Sequence, residues 1–500
     1  TTAHLDAFTE CAERLYCSYP DLASQFLPDV PKRGPAKPTI TPTNELPVTP
    51  MTLKPAALEA LRSALADEKK QPQLLQTNHA SERLAYYHLL VRRHAGQVLI
   101  LVPTKQDAEE IAASLSQQHG EEVLISTAQA GKHASWAEWE AVRDGKKRII
   151  IATRSGVMLP CRNLACIAID QEERPEHAQW EAHPRYDARD LAISLAKKLT
   201  IPLWAISHVP RIQTAYTQKH MVSSDIPPAQ TIIHQTKNIL DEATEQAAIA
   251  CIGAGKSVLF VTPHKARART LRCLDCQQGF SCPRCQHPLV EVDNRHLHCP
   301  SCRTDSDKPL ACPRCKSLSI KSFGQGVAGL AEALRTYGVA PLSVIQSATN
   351  LDEIDLSKPQ FVVSTPYTCK RILSVPHAPF GLLVLFHPEG VLFTPTHAAN
   401  ELYYRLIHWH RMFAHDYEGA QLLVQSGLTL GHPLHTTIIQ NDHAAFEKAE
   451  LAQRKARLLP PFSTLILVSA STDDAHRSQT AELITGILSP LKSSTTSILG

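Results

Sequence analysis

No stretch of this 500-residue chain approaches the roughly 20 consecutive apolar residues that span a bilayer. The longest, such as Val98 to Val102 and Gly381 to Phe386, are strand-sized. Thr1 to Cys17 lack the basic-then-apolar pattern of a secretory signal. A strong charge of either sign is missing too: the formal net charge is +3, which neither demands nor excludes a nucleic-acid partner. These absences point to a cytoplasmic protein. In a reducing cytoplasm the 14 cysteines are not expected to form a disulfide framework. An apolar fraction of 43% is that of an ordinary soluble protein, and the length exceeds what one hydrophobic core usually serves.

What is present alternates. Residues 1–37 read as mostly helical with a Pro/Lys/Arg-rich exit, and 38–52 as an extended Thr/Pro linker. From Gln73, apolar runs of strand length (Val98–Val102, Arg148–Ala152, Leu164–Asp170, Pro202–Ile206) are separated by helical patterns near Ser81–His94, Asp107–His119 and Arg185–Leu199. A linker is expected around Ser223 to Gln235. The alternation then resumes with Ser257–Val261, Phe361–Ser364, Gly381–Phe386 and Ala420–Gln425 as strands, and a last strand is expected at Thr464–Ser469. Such alternation predicts an α/β fold of two RecA-like parallel-sheet lobes, about 53–222 and 223–455, with a cysteine-rich insertion at 264–322 and partial terminal domains.

Eight of the cysteines fall in four CxxC pairs: Cys273/Cys276, Cys282/Cys285, Cys299/Cys302 and Cys312/Cys315. Each pair offers two sulfurs from one tight turn, and two pairs complete a tetrahedral Zn2+ shell with no open position, which is a structural site. Two zinc ions are expected, paired either sequentially or in a nested manner. The other six cysteines are scattered. Between Arg267 and Lys321, ten basic residues face five acidic ones. Positive charge around rigid knuckles suits phosphate contact, and Arg272, Arg284, Arg295, Arg303 and Arg314 are the candidate DNA-binding residues.

The run from Leu271 to Gly326 closely resembles the cysteine-rich insertion of the PriA family of replication-restart proteins. Ala152–Glu173 resembles the stretch that ends in that family's DEEH box, His183–Ala192 its RYHARD element, and Leu458–Val468 the entry to its C-terminal domain. The resemblance implies nested zinc sites, with Cys273, Cys276, Cys312 and Cys315 holding one ion and Cys282, Cys285, Cys299 and Cys302 the other. It also implies that residues 1–37 are the remnant of an N-terminal DNA-binding region and 456–500 the start of a C-terminal domain.

The family is usually an ATP-driven DNA helicase, and the chain departs from it where that chemistry resides. A P-loop needs glycine amides and a lysine against the phosphates. Leu74–Leu90 has neither, and Arg83 is a planar cation rather than a compact ammonium. The acidic box reads Asp170-Gln171-Glu172-Glu173, so Asp170 remains for magnesium while Gln171 replaces an acid. The coupling motif reads Ile206-Ser207-His208-Val209-Pro210, and the arginine-finger region, His408–Gly419, keeps only Arg411. His408, His410 and His415 lack the carboxylate or cysteine companions of a metal site.

No catalytic or nucleotide-binding residue is therefore expected, and ATP is not expected as a cofactor. The expected function is a zinc-containing DNA-binding scaffold of the primosome, acting on branched or single-stranded DNA with other replication proteins. Two other readings stay open: an active ATP-dependent 3′–5′ DNA helicase with unusual motifs, and a zinc-ribbon protein-interaction module.

Overall fold

Runs such as Ile149–Ala152 and Val98–Leu101 present apolar side chains to both faces at once, so they are stable only with helices above and below a sheet. The computed structural model places them there. It describes residues 2–491 except 16, 29–54, 67, 78–79, 128–131, 180–182, 219–220, 224–230, 236–240, 263–268, 346–353, 374–378, 394–397, 416–419, 429–431, 466–475 and short stretches between 274 and 339. Residues Thr1–Leu451 form one compact unit and Ala452–Gly500 a second.

The first unit opens with helices α1 (Thr2–Leu15), α2 (Tyr19–Phe26) and α3 (Pro55–Ala66). Strands β1 (Pro72–Gln76), β2 (Gln97–Leu101), β3 (Val123–Ser126), β4 (Ile149–Ala152), β5 (Leu164–Ile169), β6 (Leu203–Ser207) and β7 (Met221–Ser223) form a sheet ordered β3-β4-β2-β5-β6-β1-β7. All its pairings are parallel. The crossovers carry α4 (Ala80–Arg93), α5 (Lys105–His119), α6 (Lys132–Arg143) and α7 (Ala188–Leu199), and the short α8 (Ile212–Thr217) follows β6. Helix α5 starts where the Thr104 hydroxyl accepts from the Asp107 amide and stops at Gly120, whose φ of 45° a side chain would resist. Helices α1 and α2 bury Ala7, Cys11, Leu22 and Phe26 in the same core cluster as Leu191 and Leu195 of α7.

A second sheet begins with β8 (Thr231–Gln235) and, after α9 (Glu242–Gly253), β9 (Ser257–Val261). The insertion follows as β10 (Arg269–Cys273), β11 (Val290–Glu291), β12 (His296–His298), β13 (Asp305–Asp307) and β14 (Ile320–Phe323), ordered β13-β12-β11-β10-β14 and antiparallel throughout. The chain returns through α10 (Val327–Arg335), β15 (Leu342–Ile345), β16 (Phe361–Ser364), α11 (Pro366–Leu373), β17 (Phe380–Phe386), α12 (Ala399–His415), β18 (Gln421–Ser426) and α13 (Pro433–Gln440). The six strands of this sheet are parallel, ordered β15-β16-β9-β17-β18-β8. Thr231–Gln235, read from the sequence as linker, is the edge strand beside β18. Helix α14 (His443–Ala456) runs out of this unit, and the second unit also holds α15 (Arg477–Leu488). The linker 38–52 and most of the expected strand at Thr464–Ser469 lie outside the described residues. Among the described residues no helix is long and apolar enough to cross a membrane.

Candidate functional site

In open parallel sheets ligands bind beyond the carboxyl ends of the strands. Here β5, β6 and β1 are neighbours, and their carboxyl ends deliver Asp170–Glu173, Ser207–His208 and Gln76–Thr77 to one place. Facing them is α12 of the second sheet, with Glu401, Arg405 and His408.

The charged groups at this place have closed on one another. Asp170 has no exposed surface, and the Arg83 guanidinium donates to both its oxygens at 2.8 Å. Tyr87 Oη donates to Asp170 Oδ1 at 2.5 Å, and Gln171 Nε2 to Oδ2 at 3.0 Å and to Asp107 Oδ1 at 2.8 Å. Gln171 makes these contacts from a left-handed backbone, φ 46°, which an amino acid with a Cβ adopts reluctantly. Burial pushes the Asp170 carboxyl up, and the Arg83 charge pulls it back. Burial likewise opposes the Arg83 charge, but Asp170 and Glu110 hold its proton more firmly than usual. A carboxylate whose oxygens already accept from a guanidinium, a phenol and an amide has little left for a metal ion.

The next two carboxylates are used in the same way. Burial opposes ionisation of Glu172, but Arg211 and Arg189 hold it below the usual range. It accepts from the Arg211 amide (2.8 Å), Arg211 Nε (2.9 Å) and Thr214 Oγ1 (2.8 Å). Glu173 accepts from Ser207 Oγ at 2.7 Å, and burial with the adjacent Glu172 charge lifts it to about 7. His177 donates from Nε2 to the Asp170 carbonyl at 2.8 Å, and burial holds its imidazole down at about 4.

The facing helix seals the place from its other side. Arg405 reaches the Glu173 carbonyl at 3.1 Å, and the Arg174 guanidinium lies 5.1 Å from the Trp409 ring centre. His208 sits between the carbonyls of Thr77 (3.0 Å) and His408 (2.8 Å), one from each sheet's unit of structure. Arg411 does not face this cleft: it bonds Thr231 Oγ1, Asn441 Oδ1 and the Ile438 carbonyl within the second sheet's own core. His408 and His410 are buried and neutral at ordinary pH, burial depressing both.

The insertion shows the opposite arrangement. The strand pair β10 and β14 brings the first and last knuckles together, and Cys273, Cys276, Cys312 and Cys315 place four sulfurs within 4.8 Å of one another. Cys273 and Cys315 sulfurs are 3.5 Å apart, and Cys276 and Cys312 3.6 Å. A tetrahedral ion with zinc–sulfur bonds of roughly 2.3 Å would set its sulfurs about 3.8 Å apart, so the quartet fits Zn2+. Amides of Cys276 and Asp275 draw the Cys273 thiol down to about 7. The Ser317 amide also draws on Cys315, but the neighbouring sulfurs push it up to about 12. That conflict among like charges is one a divalent cation removes. The inner set is described only at Cys282 and Cys299, both buried beside Leu271 and Leu297; Cys285 and Cys302 lie outside the described residues.

No family model matches the chain. Among curated proteins it is similar to replication restart protein PriA of Haemophilus influenzae, 27% identical over 416 residues, covering 77% of this chain and 55% of that protein. PriA of Bacillus subtilis is 22% identical over 492 residues, covering 92% and 60%, and PriA of Synechocystis is 23% identical over 491 residues, covering 90% and 58%. Over most of its length the chain is thus similar to PriA-family proteins. It spans between 55% and 60% of the length of these relatives. Among solved structures, RecG bound to a three-way DNA junction aligns at a TM-score of 0.45 and 12% identity, covering 87% of this chain and 50% of that one.

Against this PriA-family background the sequence motifs separate. The outer cysteines converge as a nested pair. Of the candidate DNA-binding arginines, Arg295 and Arg314 are exposed; Arg284, Arg303 and the side chain of Arg272 lie outside the described residues. The basic excess is partly spent inside the insertion, where Lys308 pairs with Glu291 at 2.5 Å. Sequence reasoning missed the partners of Asp170, because Arg83 and Tyr87 are more than 80 positions away and carry no motif.

Proposed function

We propose that this chain is a zinc-containing DNA-binding scaffold for restart of stalled replication forks, and that it does not hydrolyse ATP. Two lobes, 53–222 and 223–455, would hold the insertion and DNA-facing surfaces in a fixed arrangement for other primosome proteins. The zinc reading rests on the four converging outer sulfurs and on the repetition of the same spacing at Cys282, Cys285, Cys299 and Cys302. Zinc would supply a closed structural shell there and no activated water. The DNA reading rests on the PriA relatives and on the basic character of the insertion, with Arg272, Arg284, Arg295, Arg303 and Arg314 as the contacts tested first.

The absence of hydrolysis rests on one observation above all: the Asp170 carboxylate is already filled by Arg83, Tyr87 and Gln171. ATP hydrolysis on this fold needs a carboxylate for magnesium, an acid that positions water, amides and a lysine on the phosphates, and arginines across the cleft. These act on one transition state, so their losses compound. Here the position of the metal carboxylate is a buried ion pair, Gln171 cannot take a proton from water, and Arg411 is turned into its own core. Gly255-Lys256-Ser257 has the letters of a phosphate loop's end, but it leads into strand β9 rather than out of one. Ser257 Oγ is occupied by the Lys358 carbonyl and the Gln360 amide.

The test is fork-DNA binding measured with and without ATP and with and without a zinc chelator, alongside ATP titration and DNA-stimulated hydrolysis. Fork binding that is salt-sensitive, indifferent to ATP and lost on chelation is the expected result. DNA-stimulated ATPase abolished by Asp170→Ala would overturn the reading and make the chain an active helicase. Zinc without any fork binding would favour a protein-interaction module.

A further inference from the structure

Away from the cleft and the insertion, a third group of metal-ligand atoms converges inside the first sheet's core. Glu68 lies in the connection from α3 to β1, His94 directly after α4, and Cys166 within β5. Their ligand atoms all lie within 4.8 Å of one another. Glu68 Oε1 is 3.0 Å from His94 Nε2, and the two side chains are only 7% and 12% exposed. Trp204 Nε1 donates to the same Glu68 oxygen at 2.9 Å, fixing the carboxylate's orientation.

An ordinary buried ion pair accounts for Glu68 and His94. It does not account for the other two groups. Cys166 is fully buried, and among the described residues its sulfur has one distant acceptor, the Ile167 carbonyl at 3.7 Å. Tyr86 is also fully buried; among the described residues its hydroxyl has no hydrogen-bond partner, and the ionisable groups that act on it are Cys166 and Glu68. A phenol buried without a partner is a costly feature unless something completes it.

We propose that Glu68, His94, Cys166 and the Tyr86 hydroxyl form a metal site for Zn2+, separate from the cysteine knuckles. The donor set suits this ion: one sulfur, one imidazole nitrogen and oxygens are its ordinary ligands. The charges balance, since a thiolate and a carboxylate neutralise a divalent cation and leave no net charge in the core. The site would form with small movements, because the ligand atoms of Glu68, His94 and Cys166, within 4.8 Å of one another, need to close to roughly 3.3–3.8 Å around a tetrahedral ion. On binding, the Cys166 S–H proton leaves to solvent, and any proton on His94 Nε2 leaves too, with Nδ1 keeping or taking up one so that the imidazole stays neutral; sulfur and nitrogen then donate their electron pairs to the ion. The role is structural: the ion ties the start of β1, the end of α4 and the middle of β5 together.

The experiment uses the full chain, purified with zinc and freed of loosely held ions. Zinc per chain is counted for the native protein, Cys166→Ser and His94→Gln, each of which keeps all eight knuckle cysteines. His94→Gln retains a hydrogen bond to Glu68, so it guards against a variant that merely fails to fold. One zinc equivalent fewer in each variant is expected, with a zinc-dependent rise in melting temperature that is smaller than in the native chain. Cobalt substitution should give thiolate-to-metal absorption that falls by about one sulfur's share in Cys166→Ser. Equal zinc counts and equal cobalt spectra in all three proteins would overturn the proposal. So would binding of zinc to the native chain that His94→Gln leaves unchanged.

Discussion

The cleft at the carboxyl end of the first sheet and the tip of the insertion handle charge in opposite ways. At the cleft every carboxylate of the Asp170–Glu173 run has an internal partner: Arg83, Tyr87 and Gln171 on Asp170, Arg211 and Thr214 on Glu172, Ser207 on Glu173. At the insertion four sulfurs approach to hydrogen-bonding distance with mainly one another as neighbours. A closed network resists any further ligand, because binding would first have to break it. A converging set of like donors offers a place for one. The contrast is between buried charges that protein groups already satisfy and donors that converge with mainly each other for company.

The largest expected effect breaks the insertion side. Cys273→Ser with Cys312→Ser should remove one zinc by elemental analysis and melt the insertion, since structural zinc in small domains contributes roughly 10–16 kcal/mol of folding free energy. Unchanged zinc content would show that these sulfurs hold no ion. Next comes the cleft. Arg83→Met leaves Asp170 buried without its counter-ion and should destabilise the first unit by about 3–5 kcal/mol in urea unfolding. Adding Asp170→Leu should restore most of that loss. A double variant no more stable than Arg83→Met alone would mean the pair is not coupled as described.

A pH experiment sharpens the same contrast. His177, His410 and His443 are held at about 4, burial being the first cause for each, against 6.5 when unfolded. Between those values the unfolded chain binds more protons, so stability present above pH 6.5 should fall progressively as pH drops toward 4. Unfolding midpoints that stay flat over that window would contradict the buried neutral imidazoles. The smallest effect belongs to Glu173. Its carboxyl at about 7 is raised above the unfolded 4.5, so its contribution runs the other way and is lost as pH rises through 7. Glu173→Gln should therefore gain a little stability at pH 8 relative to pH 5, measured by thermal melts.

Much of the architecture was legible because burial on both faces writes itself as unbroken apolar runs: Val98–Val102, Ser257–Val261 and Gly381–Phe386 all lie on or within one residue of strands. The strands that escaped are those with mixed faces. Pro72–Gln76 carries glutamines that bond inside the core, Gln76 to the His208 carbonyl at 3.0 Å, so it reads as polar. Thr231–Gln235 sits at a sheet edge and is only partly buried. The insertion's strands, two to five residues long, are too short to show a period. Within the site, the cysteine spacing announced convergence, while the ion pair of Arg83 with Asp170 could not be read, since complementary charges distant in sequence leave no pattern.

The pairing of β10 with β14 has a mechanical meaning. Thr270 lies opposite Phe323, so the insertion begins and ends on neighbouring backbones, about 5 Å apart as in any antiparallel pair. Its two ends share one root, and the cost of closing that long loop is met once, at the root, whatever happens beyond it. The segment is therefore a detachable cassette: its tip can lose order in its own cooperative step while β9 and β15 stay in register, and a short turn grafted between Thr270 and Phe323 should leave the sheet intact.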